Sequence, residues 1–217
     1  FMRDYLTVKT GRIPNIQEVY SSFKEYVFQH SELSVQQIVE DIYRYSQYFV
    51  KLVFQTEKDK EINEVLKDIN TLKVDVSYPF LLEVYDDYER QILSKSEFIE
   101  ILKLVEAYVF RRAVCGVPTN SLNKTFATLS KEIDKANYVE SVRAAFLLKD
   151  SYKRFPTDEE FKRELMIKDV YNFRNRNYLL RKLENFNRKE IIDIEAYTIE
   201  HIMPQNPNLS PEWRRDL

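Results

Sequence analysis

The stretch YTIEHIMPQN, residues 197–206, holds one of only two histidines in a chain of 217 residues. That histidine, His201, follows directly on Glu200 and precedes Ile202, Met203 and Pro204. A neutral imidazole can take a proton from water. A carboxylate offers hard oxygens to a hard cation. Together they suit metal-assisted phosphodiester hydrolysis, in which a cation stabilises the leaving oxygen and the histidine activates the attacking water. Neighbouring residues on a strand face opposite sides. A bend, helped by Pro204, is therefore needed to aim both groups at one phosphate. The plainer alternative is a structural histidine, partly buried beside a surface glutamate.

Three further places carry polar chemistry, and each has a structural reading beside a functional one. RNRNYLLRKLENFNRK, residues 174–189, holds six basic residues and one acid, Glu184, a local balance of 6 − 1 = +5. It suits phosphate contact, or is a solvated helix face. Arg111 and Arg112, followed by CGVPTNSLNK, set polar groups inside an apolar run. That block reads as a structural cap, with Thr119 and Asn120 tying down the next helix, in preference to a nucleic-acid contact. His30 ends an amphipathic helix, where the helix dipole accounts for it. The 15 tyrosines and 14 phenylalanines fall at three-four spacing, which makes them core stripes and not a base-stacking platform.

These groups have to be positioned by helices. Two glycines in the whole chain is far below the usual ~7%. Glycine supplies positive φ in turns and phosphate-binding loops. Such scarcity argues against an all-β fold, and neither G-x-G-x-x-G nor G-x-x-x-x-G-K occurs. A net charge of −2 gives no global attraction to nucleic acid, though it leaves room for a local basic patch. The lone Cys115 cannot form an internal disulfide and reads as a small buried hydrophobe. That, with no leader and no long apolar run, points to a cytoplasmic protein without a membrane span. Both ends read as cuts through a longer protein.

Capping signals place the helices. Asn15 with Glu18, Ser34 with Gln37, Ser94 with Glu97, and Asn137 with Glu140 have capping-box spacing. Thr56, Ser77 and Thr157 mark other starts, and Pro79 is tolerated in a first turn. The run from Ser94 to Val114 is the most apolar and is expected at the centre, stopped by Gly116 and Pro118. Near Arg176 a further helix should turn Leu179, Leu180, Leu183 and Phe186 inward. From Ile191 the period changes: Ile192, Ile194, Ala196 and Thr198 alternate with polar residues, as in a strand. The expected fold is mainly α, a multi-helix bundle over 1–190. Residues 191–217 then open with the first strand of a different small module.

An acid-His-Ile-x-Pro stretch at a strand end is the opening element of HNH, or His-Me finger, nucleases. IEHIMPQNPNLSPEW resembles the start of the HNH (ββα-metal) module of GmrSD-like, modification-dependent restriction endonucleases. FMRDYLTVKTGRIPNIQEVYSSFKEY and RRAVCGVPTNSLNKTFATLSKEI resemble that family's helical linker region. The resemblance implies a DNA substrate, His201 as general base, and Glu200 as ligand to a divalent metal, Mg2+ or Mn2+. It also implies a phage-defence role and a helical body that passes signals to the nuclease. Nucleotide handling would reside in an N-terminal NTP-hydrolysing domain, and the nuclease's later asparagine in a further strand-helix pair. The chain holds neither, so by itself it is expected to be inactive. The competing expectation is a non-catalytic helical scaffold for protein interaction or DNA binding.

Overall fold

A computed structural model describes residues 1–194, 196–199 and 207–216. They are mainly helical. The helices are α1 (Met2–Thr10), α2 (Val19–Gln29), α3 (Val35–Phe54), α4 (Lys60–Thr71), α5 (Tyr78–Glu89), α6 (Lys95–Val114), α7 (Leu122–Thr128), α8 (Tyr138–Leu147), α9 (Asp158–Met166), α10 (Arg176–Glu184) and α11 (Pro211–Asp216). The chain divides into two compact units, Phe1–Asn175 and Arg176–Leu217. No described helix is long and apolar enough to cross a membrane.

The centre of the first unit is shared. The expected central helix, α6, buries Phe98, Ile101, Leu102, Val105 and Tyr108, and packs on α4, α5, α8 and α9. α5 is apolar on most of its circumference and buries Phe80, Leu81, Leu82, Val84 and Tyr85 between α1, α3, α6 and α7. A helix apolar nearly all round has to be interior. Ring contacts run from Tyr45 to Tyr48 to Tyr85 to Phe98, so these aromatics are core, as their spacing predicts, whereas Tyr20, Phe28, Tyr43 and Phe54 are exposed against that expectation. Several core tyrosine hydroxyls end on carboxylates. Tyr5 donates to Asp41 at 2.7 Å, Tyr48 to Asp86 at 3.2 Å, and Tyr138 to Asp87 at 2.8 Å.

Ser34–Gln37 and Ser94–Glu97 form complete capping boxes, and the Thr157 hydroxyl accepts from the Glu160 N–H. Three expected starts need correction. Asn15 precedes a 3-10 turn, Ile16–Glu18, and its amide donates to the Glu18 carboxylate at 2.9 Å instead of capping backbone. α4 is capped by Asp59, which accepts from the N–H groups of Glu61 and Ile62, and not by Thr56. The reason is local: Glu57 takes the N–H groups of Lys58 and Asp59, which holds the preceding residues in a turn. Asn137 spends its amide on Asp134 at 2.8 Å, because Asp134 caps the 3-10 turn Lys135–Asn137.

The second unit also departs from expectation. On α10, Tyr178 and Leu179 are buried, but Leu183 and Phe186 are exposed. The inward stripe therefore ends after the first turn and a half. Ile192 and Ile194 are half-buried between exposed Ile191 and Asp193, the expected alternation, yet Ala196 and Thr198 are as exposed as Tyr197. A turn closed by the Tyr197 N–H on the Ile194 carbonyl, 3.0 Å, ends it. No strand occurs among the described residues. A strand needs a ladder partner, and here Ile192 bonds to a side chain.

Candidate functional site

The second unit carries the motif. After α10, Asn187 turns the chain through the left-handed region at φ 58°. Asn185, at the helix end, then meets the returning chain. Its Oδ1 accepts from the Ile192 N–H at 2.7 Å, and its Nδ2 donates to the Ile192 carbonyl at 3.0 Å and to the Arg181 carbonyl at 3.0 Å. Downstream, α11 begins with Pro211, and the Ser210 hydroxyl accepts from the Trp213 N–H at 3.4 Å. Pro at the first helical position lacks only an N–H that would have had no helical partner. Glu200 and His201, the expected metal ligand and base, lie outside the described residues, as does Pro204.

Among the basic residues of 174–189, Arg174, Lys182, Arg188 and Lys189 are exposed. Arg188 pairs with Glu184 at 2.5 Å, one turn away, and the Lys182 ammonium lies 5.5 Å from the Tyr178 ring centroid. Such exposed pairs contribute little and leave the cations accessible to an anionic partner.

The Arg111–Arg112 block resolves into structure. Arg112 is 1% exposed. It donates to the Tyr108 hydroxyl (3.2 Å), the Arg154 carbonyl (3.3 Å), the Pro118 carbonyl (2.6 Å) and the Ser121 hydroxyl (3.2 Å). Burial lowers its pKa, though an arginine stays protonated. Arg111 points to α9, pairing with Asp158 at 2.5 Å and covering Phe155 and Phe161. Arg112, not Thr119 or Asn120, ties down the turn before α7. His30 caps α2, its Nδ1 2.9 Å from the Tyr26 carbonyl. Cys115 caps α6 half-buried, and burial raises its thiol pKa. No group of three or more His, Cys, Asp or Glu that could hold a metal ion occurs among the described residues.

Asn185 is the residue that spacing missed, and spacing singles out Arg112 without its part in tying down the turn. An Asn-Phe-Asn run closing an amphipathic helix signals a helix stop, but gives no hint of what returns to it.

The chain is thus a mainly helical protein whose second, smaller unit carries an acid-histidine motif between a clamped return segment and a short capped helix. Residues 155–217 match the family model for GmrSD restriction endonucleases, C-terminal domain. The chain therefore resembles the GmrSD-like restriction endonuclease family over its last part, including the acid-histidine segment and α9. No curated protein and no solved structure matches it.

Proposed function

We propose that this chain forms part of a DNA endonuclease of the modification-dependent restriction type, with an HNH-like nuclease segment opening near Ile191 behind a helical body spanning 1–190. The observation that carries this reading is the match of residues 155–217 to a restriction-endonuclease C-terminal domain, which takes in the Glu200–His201 pair. In this reading His201 would accept the proton of the attacking water, and the Glu200 carboxylate would hold a divalent cation, Mg2+ or Mn2+. That donor chemistry fits, since carboxylate oxygens are the ordinary ligands of hard cations; one carboxylate is not a full site, so further ligands are required. The cation, when bound, supplies charge stabilisation at the leaving oxygen. The exposed cations of 174–189 hold DNA backbone phosphates.

The test uses the intact protein. His201→Ala should lower cleavage by on the order of 10²–10⁴ with an unchanged melting temperature. Glu200→Ala should also impair cleavage, partly restored by more metal, whereas extra metal cannot replace the proton acceptor. A sharply lowered melting temperature in His201→Ala would favour a structural histidine, and a well-folded variant cleaving normally would remove the assignment.

A second reading, a non-catalytic interaction scaffold, is favoured by one feature. α3 presents an exposed apolar stripe of Val35, Val39, Tyr43 and Phe54 on the side away from its buried Ile38, Tyr45, Tyr48 and Leu52. No cleavage of DNA by the intact protein with Mg2+ or Mn2+, together with loss of a partner on Tyr43→Glu, would select it.

A further inference from the structure

We infer that the exposed face of α3 is the contact of a twofold dimer, in which two copies of this helix pack antiparallel. The contact is independent of the nuclease reading. α3 uses one side for the fold, burying Ile38, Tyr45, Tyr48 and Leu52. Its other side carries a second pattern. Gln36, Val39, Tyr43, Ser46, Val50 and Val53 recur at alternating spacings of three and four, the seam of a coiled coil. Val39, Tyr43 and Val50 are exposed, and exposed Val35 and Phe54 extend the seam to both helix ends. The seam contains no charged residue. A helix already buried on one side needs no apolar seam on the other, and a continuous exposed apolar strip marks a contact surface.

The residues of the seam select both partner and orientation. Pairs equidistant from the midpoint of Val35–Phe54 are Val35 with Phe54, Val39 with Val50, and Tyr43 with Ser46. An antiparallel twofold pair brings these residues together across the contact, so the largest side chain of the seam meets the smallest. Parallel pairing would set Tyr43 on Tyr43 and Ser46 on Ser46, a clash beside a void. The Ser46 hydroxyl already donates to the Tyr43 carbonyl at 2.7 Å, so covering it strands no polar group. The cations beside the seam are neutralised within the chain: Arg44 pairs with Asp41 and Asp86, and Lys51 with Glu57 and Glu89. The bordering anion, Glu40, lies off the midpoint. Antiparallel packing holds its two copies ~13 Å apart along the helix axis, beyond the ~8 Å screening length at physiological salt, whereas parallel packing would set them side by side. The same ion pairs and the Ser34–Gln37 capping box fix α3 before it meets a partner, which lowers the ordering cost of association. The area is small: a 20-residue helix face is about 30 Å long and 10 Å wide, at the low end of specific interfaces. The dimer should therefore dissociate at micromolar concentrations.

Sedimentation of the chain across a concentration series should show a monomer–dimer equilibrium with a Kd on the order of 10 µM. Val39→Glu and Val50→Lys each place an unpaired charge in the contact and should raise that Kd at least ~100-fold. Both positions are open to solvent in the single chain, so the helical spectrum and melting temperature should stay as in wild type. The double variant Val39→Glu/Val50→Lys should regain the dimer, since antiparallel pairing sets the new carboxylate of one copy against the new ammonium of the other. A wild-type chain that stays monomeric at every concentration would overturn the inference. Its co-sedimentation with phosphatidylcholine–phosphatidylglycerol vesicles would then assign the strip to a lipid surface, and its absence from them would leave the strip to a different protein. A dimer that both single variants leave intact would also overturn it, by placing the contact elsewhere. Single variants that dissociate without recovery in the double variant would overturn the antiparallel register.

Discussion

Replacing Arg112 tests whether the buried guanidinium is a structural staple. Among the described residues no carboxylate pairs with it, so its four hydrogen bonds must offset desolvation alone. A buried charge costs several kcal/mol to dehydrate, and apolar replacement of buried ions is often neutral or stabilising. Here the acceptors decide. The Pro118 carbonyl at 2.6 Å and the Arg154 carbonyl at 3.3 Å belong to loops on either side of α6's end, and both bonds come from this side chain. Both bonds are part-buried, so leaving these carbonyls without their donor costs up to about 1–3 kcal/mol each. Arg112→Met, which fills similar volume and removes the charge, should therefore still destabilise the chain by roughly 2–5 kcal/mol. For a chain of this size that is a fall of about 4–20 °C in melting temperature, at ~2–4 °C per kcal/mol. Circular dichroism at a helical wavelength reads it directly. Arg111→Ala is the control: its ion pair with Asp158 is partly exposed, so the loss should stay near 1 kcal/mol or below. An Arg112→Met chain as stable as wild type, or more so, would show that desolvation of the cation outweighs its bonds.

Ser94→Ala breaks the capping box on α6 and should cost about 1 kcal/mol, visible as a melting shift of ~2–4 °C; no shift would mean that tertiary packing alone holds that end. Tyr5 and Tyr138 have pKa values raised, first by burial and then by hydrogen bonds to Asp41 and Asp87. Their contribution is complete below the unfolded tyrosine value of about 10 and is lost as pH rises beyond it. Tyrosinate absorbance should therefore appear together with loss of helical signal above that pH, and ionisation of these tyrosines in a still-folded chain would contradict their burial. Arg188→Ala with Lys189→Ala should weaken DNA binding by the intact protein equally across sequences and flatten its salt dependence by about one to two units of slope; an unchanged slope would assign these cations to solvent. A chain ending at Glu190 should melt cooperatively with a helical spectrum, and an insoluble or molten product would show that the segment from Ile191 belongs to the core.

Much of this protein follows from sequence alone because its signals are local. A serine accepting from the N–H three residues on, with Glu or Gln reaching back, needs no tertiary partner, and both serine boxes form. Three-four spacing of tyrosine and phenylalanine fixes which helix face is apolar, and the scarcity of glycine fixes the helical class. The acid-histidine pair is equally local, and the family match covers it. What needed the tertiary structure are the choices among competing local partners. Asn15, Asn137 and Thr56 lost their expected capping roles because nearby carboxylates offered alternatives within the same turns. Leu183 and Phe186 were expected inward on period alone, but burial depends on what packs there. The role of Arg112 depends on Pro118 and Arg154, and Arg154 lies 42 residues away. Asn185 meets Ile192 only because Asn187 reverses the chain. Spacing names the groups that can bond, but only the folded path decides which of them meet.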